Sequence, residues 1–100
     1  MVDLVRPRFR LGQTVATPAA LEAIQQAGQS PAEFLDRHVR GDWGNLSADD
    51  RALNDEAVQD GSRILSAYVT RAGEKIWVIT EAADDRGHRS ATTILLPAEY

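Results

Sequence analysis

Two hydrophobic periods divide the chain. From Thr17 to about Gln59 apolar residues recur every three or four positions, and from Ser62 onward they alternate or run in short β-branched and aromatic stretches. The first period predicts helices and the second predicts strands. The changeover falls in RHVRGDWGNL, Arg37 to Leu46, which holds a His, a Trp and two glycines within ten residues.

Three helix starts are legible. Thr17-Pro18 reads as an N-cap followed by a proline whose missing N–H costs nothing, with Ala20, Leu21, Ile24 and Ala27 inward and Gly28 ending the helix. Ser30-Pro31-Ala32-Glu33 has the spacing of a capping box, and the helix it opens carries Phe34, Leu35, His38 and Val39 on one stripe before Gly41. Ser47 with Asp50 opens a third, acidic helix over about Ala48 to Gln59, with Ala52, Leu53, Ala57 and Val58 as its inward residues.

The strand segments are SRILSAYVT, KIWVITEA and RSATTILL, separated by RAGE and ADDRGH. A two- or four-residue turn at Ala72-Gly73 sets Ala67 opposite Val78 and Tyr68 opposite Trp77. Leu65, Ala67, Val69, Ile76 and Val78 then share the core face. Ser66, Tyr68, Trp77, Ile79 and Glu81 share a mixed outer face. A symmetric second loop adds Thr92, Ile94 and Leu96 to the core and Ala91, Thr93 and Leu95 to the outer side. The expected fold is one α+β domain over residues 1–100: three N-terminal helices packed on a C-terminal three-stranded antiparallel meander, with Phe9–Val15 as a candidate extra strand and residues 1–8 as a flexible or extended arm.

Composition narrows the function classes. The 100 residues include 43% hydrophobic positions and no Cys, which excludes disulfides and a catalytic thiol and suits a reducing cytoplasm. No apolar run approaches the ~18 residues of a membrane span, and MVDLVRPRFR lacks the apolar core of a secretion signal, so a soluble cytoplasmic protein is expected. A net charge of −4 argues against general nucleic-acid binding. The concentrated basic feature is the row Arg6, Arg8 and Arg10, which could hold an acidic partner or guard a sheet edge.

The segments RLGQTVATPAALEA, RHVRGDWGNLSADDRALNDEAV, SRILSAY, KIWVITEA and SATTILLPAEY resemble a family of small bacterial proteins carried on plasmids and other mobile elements and described as plasmid-related, for which the name type I restriction subunit also occurs. The resemblance runs from about Phe9 to Tyr100. It implies a mobile-element accessory role and carries no activity.

Motifs that compel a chemistry are absent. The glycines form neither a P-loop nor a dinucleotide fingerprint, no Gly-x-Ser-x-Gly elbow is present, and two histidines, His38 and His88, make a metal site improbable. No cofactor is expected. Two readings remain. In the first, a non-catalytic module binds a protein through Ser66, Tyr68, Trp77 and Glu81 or through the arginine row, as a monomer or homodimer, with Gly41, Trp43 and Gly44 as structural residues. In the second, an architecture resembling in outline the barnase–EndoU–RelE group of metal-independent ribonucleases, some of them toxins, would use His38 with Asp42 for proton transfer, Arg89 for phosphorane charge, and Tyr68 and Thr92 to position phosphate. The site would be a common depression bordered by His38, Asp42 and the Tyr68–Trp77 face.

Overall fold

A computed structural model describes residues 6–100. In chain order it contains β1 (Gln13–Ala16), α1 (Pro18–Gln26), α2 (Pro31–Val39), α3 (Ala48–Asp60), β2 (Ile64–Val69), β3 (Lys75–Thr80), β4 (Ala91–Leu95) and a 3-10 turn, Pro97–Glu99. The expected arm lies partly outside the described residues. Its last residue, Arg8, is tied to the body by an N–H bond to the Val39 carbonyl at 2.8 Å.

Local chemistry explains the helix starts. The Thr17 hydroxyl accepts from the Ala20 N–H at 3.2 Å, and the Ser47 hydroxyl accepts from the Asp50 N–H at 3.1 Å. At α2 the expected capping box does not form. The Glu33 carboxylate is taken by the Gln29 side-chain amide at 2.6 Å, and Ser30 makes no side-chain cap. The inward face of α3 also differs from expectation: Ala52 and Leu53 are exposed, Leu53 by 60%, while Asn54 and Ala57 are buried.

The three-stranded meander is corrected to a four-stranded mixed sheet of order β1-β4-β3-β2, with β1 parallel to β4 and the other pairs antiparallel. The candidate strand Phe9–Val15 is shifted to Gln13–Ala16, and its pairing with β4 could not be read because three of its four residues are exposed, which leaves no apolar alternation. Gly12, which the sequence reads as weakening a strand, is what lets β1 approach. At φ +66° it passes so close to the Arg89 and Ser90 backbone that a Cβ there would clash.

The β2–β3 register is also corrected, by one residue. The loop is the odd-numbered Arg71–Ala72–Gly73, closed by the Thr70 N–H to Glu74 carbonyl bond at 2.8 Å, with Gly73 left-handed at φ +89°. Ala67 therefore pairs with Trp77 and Tyr68 with Ile76. A one-residue slip moves a whole strand's side chains to the opposite face. In β2 the inward residues are Ile64, Ser66 and Tyr68, and the outward ones are Leu65, Ala67 and Val69. In β4, Thr92 and Ile94 face inward as the alternation predicts.

The helices cover the inner face. Ala20, Ala23 and Ile24 of α1 and Phe34 of α2 pack on Tyr68, Ile76, Val78 and Ile94. A second cluster joins Phe9, Trp43, Ala57 and Ile64. The GDWG turn closes the outer edge of β2: the Asn45 N–H donates to the Ala67 carbonyl at 2.7 Å, and the Ala67 N–H donates to the Trp43 carbonyl at 3.1 Å. Gly44 is left-handed at φ +76°, and a Cβ there would lie inside contact distance of the Ala67 carbonyl oxygen. Gly44→Ala is expected to cost about 2 kcal/mol or more, read as a lower urea midpoint at unchanged slope.

Candidate functional site

His38 lies where the two core clusters meet and is 0% exposed. Its position on α2, one turn beyond Phe34, aims the ring at the one place on the inner sheet face where each of β2, β3 and β4 supplies a hydroxyl. Nδ1 is 2.6 Å from the Ser66 hydroxyl and Nε2 is 2.8 Å from the Thr80 hydroxyl. Thr80 is 2.7 Å from Thr92, whose hydroxyl donates to the Leu11 carbonyl at 2.7 Å.

The far end of this row sets its direction. A carbonyl only accepts, so Thr92 donates to Leu11, Thr80 donates to Thr92, and His38 Nε2–H donates to Thr80. The row thus puts a proton on Nε2, and with the ring kept neutral by burial Nδ1 is left to accept from the Ser66 hydroxyl. Burial, and secondarily the charge of Arg89, push the His38 pKa down to about 3. Phe9 and Trp43 close the remaining sides, each edge-on to the imidazole at 5.2 and 5.9 Å between centroids.

The other acid–base candidates do not complete a site. Asp42 pairs with Arg37 at 2.7 Å and accepts from the Gly44 N–H, and the Arg37 bond is the main reason its carboxyl is held below the usual range. No bond joins it to His38. The Tyr68 hydroxyl donates to the Asp42 carbonyl at 2.6 Å, Arg37 stacks over its ring at 4.4 Å, and burial pushes its pKa up. The Arg89 guanidinium is spent on three backbone carbonyls, those of Ser62, Glu81 and Ala57, at 2.8, 3.0 and 2.9 Å. Burial lowers its pKa. Thr92 faces inward, as its strand alternation predicts, and there it serves the hydroxyl row.

The expected binding residues separate. Ser66 and Tyr68, the latter 2% exposed, belong to the inner face, so the Tyr68–Trp77 pair and the common depression it was to border do not exist. Trp77 is half-buried on the outer face opposite Ala67. It divides two depressions of about 420 and 470 Å³, which share Asn45, Ala67 and Trp77. One extends toward Val69, Lys75 and Pro97, the other toward Leu46, Leu53, Leu65 and Arg63. The C-terminal turn lies across this face. Tyr100 meets Trp77 edge-on at 5.5 Å and bonds Arg63, and Glu99 accepts from the Thr17 hydroxyl at 2.7 Å and the Leu96 N–H at 2.8 Å. Those two bonds hold the Glu99 carboxyl below its ordinary range.

Glu81 is exposed beyond the end of β3 and lines neither depression. In the arginine row, Arg6 and Arg10 are exposed, whereas Arg8 pairs with Asp55 at 3.3 Å and lies over Trp43 at 5.7 Å. Trp43 is buried and donates from Nε1 to Asp55 at 3.1 Å, and Gly41 at φ +88° makes room for the Arg8 side chain.

Sequence reasoning missed Thr80 and Asn54. Thr80 carried a signal, because in the correct register Ser66, Thr80 and Thr92 are polar residues within otherwise apolar inward rows. Asn54 carried another, as a polar residue three positions before Ala57 and so on the same face of α3: its amide donates to the Leu65 carbonyl at 2.7 Å and its oxygen accepts from the Leu65 N–H at 3.2 Å. Among the described residues no buried side-chain polar atom lacks a partner, no cluster of three His, Asp or Glu is placed for a metal, and no helix is long and apolar enough to cross a membrane. No protein-family model, curated protein or solved structure matches the chain.

Proposed function

We propose that this chain is a non-catalytic protein-interaction module, a cytoplasmic accessory protein of a plasmid or other mobile element, that docks its partner on the outer sheet face around Trp77. The observation that carries this reading is the pair of adjoining depressions on either side of Trp77, floored by Leu65, Ala67 and Val69. An aromatic flanked by apolar floor and polar rim is the composition of an interface centre. The chemistry-bearing alternative loses its base, since a general base must reach a substrate proton and His38 is sealed behind Phe9 and Trp43 with both nitrogens bonded.

Partner recovery from a source cell, run with wild type and Trp77→Ala, tests this reading beside a metal-free RNA cleavage assay of the same samples. The expected result is a stable complex that the variant weakens by about 2 kcal/mol, roughly thirtyfold, with little salt dependence and no cleavage in any sample. Cleavage by wild type that His38→Gln abolishes in a folded protein would overturn it.

A further inference from the structure

The two edges of the sheet are finished differently. On the β2 edge the outward backbone groups of Leu65 are met by Asn54, and those of Ala67 by Trp43 and Asn45. On the opposite edge, Gln13 and Thr17 donate to the Ser90 and Ile94 carbonyls at 3.0 and 2.9 Å. Parallel pairing at that spacing turns Val15 toward β4 as well and aims the N–H and C=O of Thr14 and Ala16 away from it. Among the described residues nothing meets those four groups. Such an edge is a template for another strand.

We propose that β1 pairs antiparallel with β1 of a second copy of this chain, joining two sheets into one of eight strands across a two-fold axis at Val15. Pairing about that axis sets Thr14 opposite Ala16 of the second copy, and Ala16 opposite its Thr14. Each couple exchanges two hydrogen bonds, because all the groups involved already point outward. Val15, 43% exposed, meets its own counterpart at the non-hydrogen-bonded position, where cross-strand side chains come closest.

Charge selects a second copy over an arbitrary strand. Residues 11–21 carry no charge at all, in a chain whose net −4 repels its copies on other approaches. In sequence the first charges on either side are Arg10 and Glu22, and in space the Glu99 carboxylate reaches the end of the strand at Thr17. The two-fold axis stands perpendicular to the sheet, so both Trp77 faces look the same way; the dimer itself does not depend on what Trp77 binds.

Sedimentation equilibrium from micromolar to near-millimolar protein tests this, on wild type, Val15→Lys and Thr14→Pro. Wild type is expected to dimerise reversibly. Val15→Lys places two ammonium groups face to face at an exposed position and raises the dissociation constant at least about tenfold. Thr14→Pro removes an outward donor that β4 does not use and has the same effect; if it fails to fold, Val15→Lys carries the test. A wild type that stays monomeric throughout, or a dimer indifferent to Val15→Lys, overturns the proposal.

Discussion

His38→Ala is expected to lower the stability of this domain by about 3–5 kcal/mol, since His38 is wholly buried. The ring fills the space between Phe9 and Trp43, and its loss leaves a cavity. It also deprives Ser66 of its acceptor and Thr80 of its donor inside the core, where an unmade hydrogen bond costs the full desolvation of the group. Urea denaturation followed by fluorescence should show a lower midpoint with an unchanged slope.

The same substitution should change the pH dependence. In the folded chain the His38 pKa is about 3, against 6.5 for an unperturbed histidine. Between those values the unfolded state binds more protons than the folded one, so stability falls as pH falls. The histidine's contribution is complete above pH 6.5 and declines by up to about 1.4 kcal/mol per pH unit toward pH 3. The Ala variant lacks this decline, and its stability curve should approach that of wild type as the solution is acidified. Carboxylates with lowered pKa values, such as Asp42, titrate in both proteins and leave the difference unaffected.

Arg89→Met is expected to cost about 2–4 kcal/mol. The guanidinium joins the last turn of α3, the connection into β2 and the end of β3 through three carbonyls, and it lies 5.8 Å from the centroid of Phe9. Methionine keeps the apolar stem and loses every donor. Arg89→Lys should recover only part of the loss, since one ammonium cannot reproduce a planar fork directed at three acceptors. Thermal unfolding of the three proteins at matched pH ranks them wild type, Lys, Met. A Met variant as stable as wild type would mean that the carbonyls are solvated well enough without Arg89.

What could be read in the sequence was local. Thr17-Pro18 and Ser47 mark helix starts because their hydroxyls satisfy N–H groups within three residues, and Gly28 and Gly41 mark helix ends by backbone conformation alone. Non-local pairing was not legible. The parallel partnership of β1 with β4 joins residues about eighty positions apart, and the short exposed strand advertises it with no hydrophobic rhythm. The β2–β3 register turned on whether one loop held an odd or an even number of residues, a choice that Ala72-Gly73 leaves open and that flips every side chain of β2.

That single slip misplaced the candidate site. With the even loop, Ser66 and Tyr68 joined Trp77 on an outer face and His38 was left to seek Asp42. With the observed loop, Ser66 turns inward to meet His38, and Trp77 stands alone over Ala67. The polar residues of the inner face then have a structural explanation: three hydroxyls and one imidazole satisfy one another end to end, and the last proton goes to the Leu11 carbonyl just before β1. A fully satisfied polar row of this kind fixes the relative placement of α2, β2, β3 and β4 more uniquely than apolar contacts do.

His38 is a neutral, sealed member of that row with both ring nitrogens bonded. Long-range ¹H–¹⁵N correlation spectra of the imidazoles, recorded from pH 8 downward and assigned with a His38→Gln variant, test it directly. The expected result is a neutral His38 ring protonated on Nε2, with nitrogen shifts that hold constant from pH 8 until the chain unfolds in acid. A His38 ring that titrates in the folded protein near pH 6.5, or that carries its proton on Nδ1, would contradict it.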